Sequence, residues 1–186
     1  MAKCSNLPRM SKKSSSVLIG LGALCTAVCL DARVARAEDE VPDTPAWRSN
    51  VGFVTSIGFA VLIPDEGSAG FGLEPTIRYG IPTGPVIIAP GARLAGYFLS
   101  ERFIWTLMPT LRVTAPLGPL APFVHGGVGG GGITNPGEGG LSWLGGGGLM
   151  IHFGGVLSLG AELNYQGITG TDYKALSIGP TIVIGG

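Results

Sequence analysis

The chain has 186 residues, of which 13% are charged and 45% hydrophobic, with 33 glycines, 14 prolines, three cysteines and a formal net charge of zero. A soluble domain carries about 25% charged residues, so a charge-dense soluble surface is excluded. The glycine lacks the G-X-Y period of collagen, the apolar content is too high for a disordered linker, and beyond the first thirty residues no apolar run approaches the ~18–20 that cross a bilayer as a helix.

The N-terminus has the plan of a secretory leader. Lys3, Arg9, Lys12 and Lys13 form a basic start, Val17 to Leu30 is an apolar stretch, and Ala35-Arg36-Ala37 is an A-x-A cleavage signal followed by Glu38-Asp39-Glu40. The leader is 37 residues from Met1 and 28 from Met10, and the second length fits the usual ~15–30 better, so Met10 is expected to be the start. Cys4, Cys25 and Cys29 all fall before Ala37, so the mature chain is expected to hold no disulfide and no thiolate metal site. It keeps six basic and eleven acidic residues, a net charge of −5, which argues against a nucleic-acid partner. Residues 38–46 read as an acidic, proline-containing periplasmic tail.

From Trp47 to Gly186 the pattern has period two, broken by turn residues every ten to eighteen positions. Val51 to Leu62 places Phe53, Ile57, Phe59 and Val61 on one face and Gly52, Ser56, Gly58 and Ala60 on the other. Phe71 to Ile81, Val86 to Phe98 and Phe103 to Thr114 repeat this, with Glu74, Arg78, Arg93 and Arg112 on the small-residue face. The fifth segment, from Leu120 through the glycine run to Gly132, sets Ala121, Phe123, His125 and Gly127 against Leu120, Val124 and Val128. Leu141 to Phe153, Leu157 to Gln166 and Leu176 to Ile184 complete the set, with His152 and Glu162 on the polar side. Turn signals such as Pro82-Thr83-Gly84, Asn135-Pro136-Gly137 and Gly170-Thr171-Asp172 separate them. Eight such segments predict an all-β, eight-stranded, antiparallel up-and-down barrel, closed so that no edge is left.

The period alone fits a soluble barrel and a membrane barrel equally, because it does not say which face is inside. Three features put the apolar face outward, against lipid. The polar face is mostly Gly, Ser, Thr and Ala, unlike a soluble exterior. Small residues suit the crowded interior of eight strands. The outward aromatics gather toward the segment ends: Phe71, Phe98, Phe103, Trp105, Trp143 and Tyr165 at one, Trp47, Phe53, Tyr79 and Phe153 at the other, as in the girdles of a transmembrane barrel. Glu74, Arg78, Arg93, Arg112 and Glu162 then form a lumen charge network, with Glu74 pairing to Arg78 and Arg93 and Glu162 to a neighbour across the barrel; the alternative is that some of them sit in lumenal water.

With its leader and eight alternating segments over Trp47–Gly186, the chain resembles the small eight-stranded bacterial outer-membrane β-barrels, the OmpA/OmpX-like family. The resemblance implies an outer-membrane location, contact with outer-membrane lipid and lipopolysaccharide, and no cofactor. It also implies a terminal aromatic residue, whereas this chain ends Ile182-Val183-Ile184-Gly185-Gly186. Pro75, Pro90, Pro109, Pro122 and Pro180 fall inside the segments, and each requires a bulge or a lost ladder hydrogen bond in a barrel without edges.

Motifs of other classes are weak. Gly127, Gly129 and Gly132 match G-x-G-x-x-G, but no helical period follows them, so they read as strand; the two four-glycine runs, Gly129–Gly132 and Gly145–Gly148, would let the wall bend or leave a groove open to a lipid chain or a partner. His125 and His152 read as polar lumen histidines, with no further ligands to make a metal site. Ser142, His125 or His152, and Glu162 are the one set from which a lipid hydrolase could be assembled, and no His-x-Ser spacing supports it. The expectation is a non-enzymatic barrel with a mostly filled polar lumen, structural or surface-interacting, the alternatives being a narrow channel or binder of small apolar or amphipathic molecules and an outer-membrane lipid A hydrolase. The protein partner stays open.

Overall fold

The computed structural model describes residues 49–135, 137–153 and 155–185; the leader, the acidic tail, the cleavage signal and Trp47 lie outside them. Within the described residues the chain forms eight strands: β1 (Gly52–Pro64), β2 (Gly70–Pro82), β3 (Ile87–Phe98), β4 (Phe103–Thr114), β5 (Leu120–Ile133), β6 (Glu138–Phe153), β7 (Leu157–Ile168) and β8 (Lys174–Gly185). Each pairs antiparallel with its sequence neighbours, and β8 returns to β1, so the barrel is closed. At the tilt of about 40° usual in such barrels, a strand of ~12 residues climbs roughly 30 Å, the thickness of a bilayer's hydrocarbon core.

All connections are short. One end of the barrel, the loop end, carries the connections between β1 and β2, β3 and β4, β5 and β6, and β7 and β8; the other, the terminal end, carries those between β2 and β3, β4 and β5, and β6 and β7, together with the start of β1 and the end of β8. Charge is distributed unevenly between them. Asp65, Glu66, Glu101, Arg102, Glu138, Asp172 and Lys174 all sit at the loop end, and the terminal-end turns contain no charged residue. Gly84 and Gly118 turn the chain there at φ of 80° and 66°, a region that glycine enters without steric penalty.

Side chains alternate as the period predicts. On β1, Phe53, Ile57, Phe59 and Val61 are exposed while Val54, Ser56, Ala60 and Leu62 are buried. The strands are longer than the periodicity suggested. β5 carries the whole glycine run and ends one residue beyond it, at Ile133, and β6 begins at Glu138, three residues before Leu141. The two runs pair with each other's strand along their length, Gly126 opposite Gly145 and His125 opposite Gly146, so both are strand, as the sequence reading expects.

The same register accounts for the prolines. All five lie in outward phase, and each keeps its pairing with one neighbour: Pro75 with Ile57, Pro90 with Leu111, Pro109 with Ala92, Pro122 with Leu149 and Pro180 with Ala161. Toward the other neighbour the pairing skips Pro75 and Pro90 between β2 and β3, Pro109 between β4 and β5, and Pro180 between β1 and β8. A proline lacks one donor, so its loss falls on one side of its strand and the opposite ladder is kept.

Candidate functional site

The interior is built from inward residues of all eight strands and divides into three layers. At the loop end an apolar layer of Ala60, Leu62, Ala95, Tyr97, Ile104, Ile133, Ile168, Tyr173 and Ala175 fills the lumen. At the terminal end Val54, Ala121, Phe123, Met150 and Val183 do the same. Between them lies a charged belt.

The belt has two ion-paired clusters. In the first, Arg93 Nη2 lies 2.8 Å from Glu74 Oε1, and the Tyr97 hydroxyl joins them, accepting from Arg93 at 2.7 Å and donating to Glu74 at 2.6 Å. Gln166 extends the cluster, its Oε1 accepting from Arg93 at 3.4 Å and its Nε2 donating to the Tyr173 hydroxyl at 3.3 Å. In the second, Arg112 Nη2 meets Glu162 Oε1 at 2.5 Å, and the Arg112 guanidinium lies 3.8 Å over the Phe123 ring. His125 Nε2 donates to Asn164 Oδ1 at 2.5 Å and lies 4.0 Å from Glu162 Oε2. Charge-assisted bonds of this kind are about twice as strong as neutral ones.

Glycine makes room for the rings that fill the lumen. A Cβ on Gly72 would collide with the Tyr97 ring, and one on Gly148 would stand 2.7 Å from Phe123 Cζ. The small residues of the inner face are therefore the complement of a few large ones. A narrow gap beside the β1–β8 seam, lined by Glu74, Glu162, Asn164, Ser177 and Thr181, has no room for a water molecule.

The terminal mouth carries a further polar cluster. Ser49 and Asn50 enter it ahead of β1, their backbone carbonyls packed against Gly185 and Gly80, where any side chain would collide with them. Asn50 Nδ2 donates to His152 Nε2 at 3.3 Å, which leaves the ring proton on Nδ1, facing the hydroxyls of Ser158 at 2.7 Å and Ser49 at 2.9 Å.

The structure thus places Glu74, Arg78, Arg93, Arg112, Glu162, His125 and His152 inside the barrel. It does not pair Glu74 with Arg78. Four residues apart on one strand they are separated by roughly 13 Å of backbone, whereas Arg93 stands on the neighbouring strand beside Thr76. Arg78 donates instead to Ser56 Oγ at 2.7 Å. His125 and His152 lie in separate clusters. Ser142 is enclosed, and its Oγ bonds neither histidine nor Glu162. Tyr97, Asn164 and Gln166 carry the belt as much as the charges do. Their inward phase was legible, but their bonding partners come from distant strands. Among the described residues no group of three or more His, Cys, Asp or Glu could hold a metal ion.

On the outer wall Tyr79, Phe53 and Phe153 are exposed toward the terminal end and Trp105 and Tyr165 toward the loop end. Trp143 stacks edge-on against Tyr165 at 5.6 Å, and Phe98 bridges Phe71 and Phe103 at 5.3 and 4.9 Å.

Solved structures share this architecture. Neisserial surface protein A superposes with a TM-score of 0.55 at 11% identity, covering 73% of this chain and 97% of that one. The outer-membrane enzyme PagL gives 0.51 at 13% identity, covering 69% and 98%. Ail, the attachment invasion locus protein of Yersinia pestis, gives 0.50 at 16% identity, covering 72% and 99%. The fold is that of the small eight-stranded outer-membrane barrels. No protein-family model matches the chain, and no curated protein is significantly similar to it in sequence. At these identities the likeness is one of fold alone.

Proposed function

We propose that the chain is an integral outer-membrane barrel with a closed lumen, which serves envelope structure or surface interaction and does not pass solutes. The observation that carries this reading is the radial order of the wall: large apolar side chains outside, and a charged belt inside between two apolar layers. An exterior of this kind is stable against hydrocarbon and aggregates in water. In this reading lipid is the partner of the wall. Tyr79, Phe153, Trp105, Trp143 and Tyr165 are its interfacial anchors, and the leader ending at Ala37 directs export. The charged loop end is the surface offered to other molecules. Two of the proteins that share the fold are named for surface location or attachment, in keeping with such a role.

The test is fractionation followed by electrophoresis with and without boiling. The protein is expected in the outer-membrane fraction, beginning at Glu38, with a migration that changes on boiling. Recovery as a soluble periplasmic protein would sink the membrane reading. Reconstituted vesicles are expected to show no size-dependent flux, and steady flux would favour the channel alternative. A lipid hydrolase reading has little support: Ser142 lacks a hydrogen-bonded histidine, and the Ser158–His152 pair is enclosed in the mouth without a carboxylate. An unchanged lipid A acylation pattern on expression is the expected result.

A further inference from the structure

The charged groups leave one end of the barrel bare. Among the described residues every Asp, Glu, Lys and Arg is either buried in the belt or placed at the loop end. The outer wall has none, and the three connections of the terminal end have none either. Turns that project into water are built from polar residues, a rule the loop end follows with Ser68, Thr134, Asn135 and its charges. The terminal end departs from it. Thr83-Gly84-Pro85-Val86 joins β2 to β3, Ala115-Pro116-Leu117-Gly118-Pro119 joins β4 to β5, and the connection from β6 to β7 ends in Val156. Leu117 and Val156 are 40% and 60% exposed.

This rim is continuous with the wall. Leu117 bridges to Leu120, Leu120 stands opposite Ile151, and all three are exposed. Val156 precedes Leu157, which stands opposite the exposed Phe153. No charged residue separates rim from wall, whereas an apolar patch kept for a protein partner is bordered by polar residues. The rim backbone also has little need of water. Thr83 donates to the Val86 carbonyl through both its N–H, at 2.9 Å, and its hydroxyl, at 3.1 Å. Leu117 and Leu120 exchange N–H···O bonds of 2.8 and 3.3 Å. The Val156 carbonyl accepts from the Gly185 N–H at 3.0 Å, and the Pro119 carbonyl from the His152 N–H at 2.9 Å. Pro85, Pro116 and Pro119 have no N–H to satisfy. The closer backbone lies to hydrocarbon, the more of its polar groups must find partners within the protein.

We propose that the terminal rim is itself a lipid-contacting surface: Leu117 and Val156 rest at the boundary between acyl chains and headgroups, beside Tyr79 and Phe153, and only the loop end projects into water. A soluble partner then has only the loop end to bind. This rests on the membrane reading and adds to it which end of the barrel the lipid covers.

The test uses the full chain with Cys4→Ser, Cys25→Ser and Cys29→Ser, folded into phosphatidylcholine vesicles and checked by the boiling-sensitive gel shift. Single nitroxide labels are placed through Leu117→Cys and Val156→Cys at the rim, Ile77→Cys on the wall, and Ser68→Cys and Thr134→Cys at the loop end. Collision with oxygen, which concentrates in lipid, is compared with collision with a water-soluble nickel complex. The oxygen-to-nickel ratio at Leu117 and Val156 is expected to be several-fold above that at Ser68 and Thr134, and nearer to that at Ile77. If the nickel complex reaches either rim label as readily as Ser68 while Ile77 stays in lipid, the proposal is overturned, the membrane reading stands and the rim is free for a soluble partner. If the complex reaches Ile77 as well, both fall. Rim labels reached by neither reagent are covered by the protein itself, which also overturns the proposal.

Discussion

Glu162→Leu is expected to destabilise the barrel by about 3–5 kcal/mol, the range for removing one partner of a buried ion pair. Arg112 and Glu162 are 2% and 10% exposed, and their charged atoms stand 2.5 Å apart. At an effective dielectric constant of about 20, Coulomb's law gives roughly 7 kcal/mol for that separation, and desolvation of both groups takes back a large part. The single change removes the attraction but leaves the desolvation of Arg112 in place, with its Nε already unpartnered. The double variant Arg112→Met/Glu162→Leu removes both, and such replacements are neutral or stabilising by about 1–4 kcal/mol; loss of the guanidinium over Phe123 subtracts about 1–2 kcal/mol from that gain. The assay is urea unfolding in micelles, followed by the boiling-sensitive gel shift and by tryptophan fluorescence. If Glu162→Leu alone costs under 1 kcal/mol, water screens the pair and the picture of a sealed belt is wrong.

The remaining predictions use the same assay. Tyr97→Phe removes the hydroxyl that joins Arg93, Glu74 and Gln166, and a loss of about 1.5–3 kcal/mol is expected, as for hydrogen bonds to charged groups. Gly148→Leu drives a side chain into the Phe123 ring and is expected to cost at least ~1–3 kcal/mol by overpacking; unchanged stability would show that the ring does not occupy the lumen as described. Ile77→Arg, at the middle of the outer face of β2, is expected to cost about 2–4 kcal/mol in a bilayer, against about 0–1 kcal/mol for Thr134→Arg in a loop-end turn; equal effects would refute the lipid-facing wall. Ser142→Ala is expected to be neutral or slightly stabilising, since its hydroxyl has no partner to lose.

The sequence by itself determined the strands, their number and which face of each turns inward. The strands and their number depend on the two-residue period, a local property, and the inward face on what each side carries: small residues with Arg78, Arg93 and Arg112 on one, large apolar side chains on the other. It could not decide who meets whom. Glu74 finds Arg93 and not Arg78, and Arg112 on β4 finds Glu162 on β7, because partners across a lumen are set by the register and closure of eight strands, which no single segment encodes. The glycine run of β5 reads as strand in the sequence, but which residues of β4 and β6 stand opposite it is set by the register. Tyr173 shows the same limit: it sits in a turn, where the period has ended, yet its ring closes the loop end of the lumen. The layered interior, and the one arginine it leaves without a carboxylate, exist only once the barrel has closed.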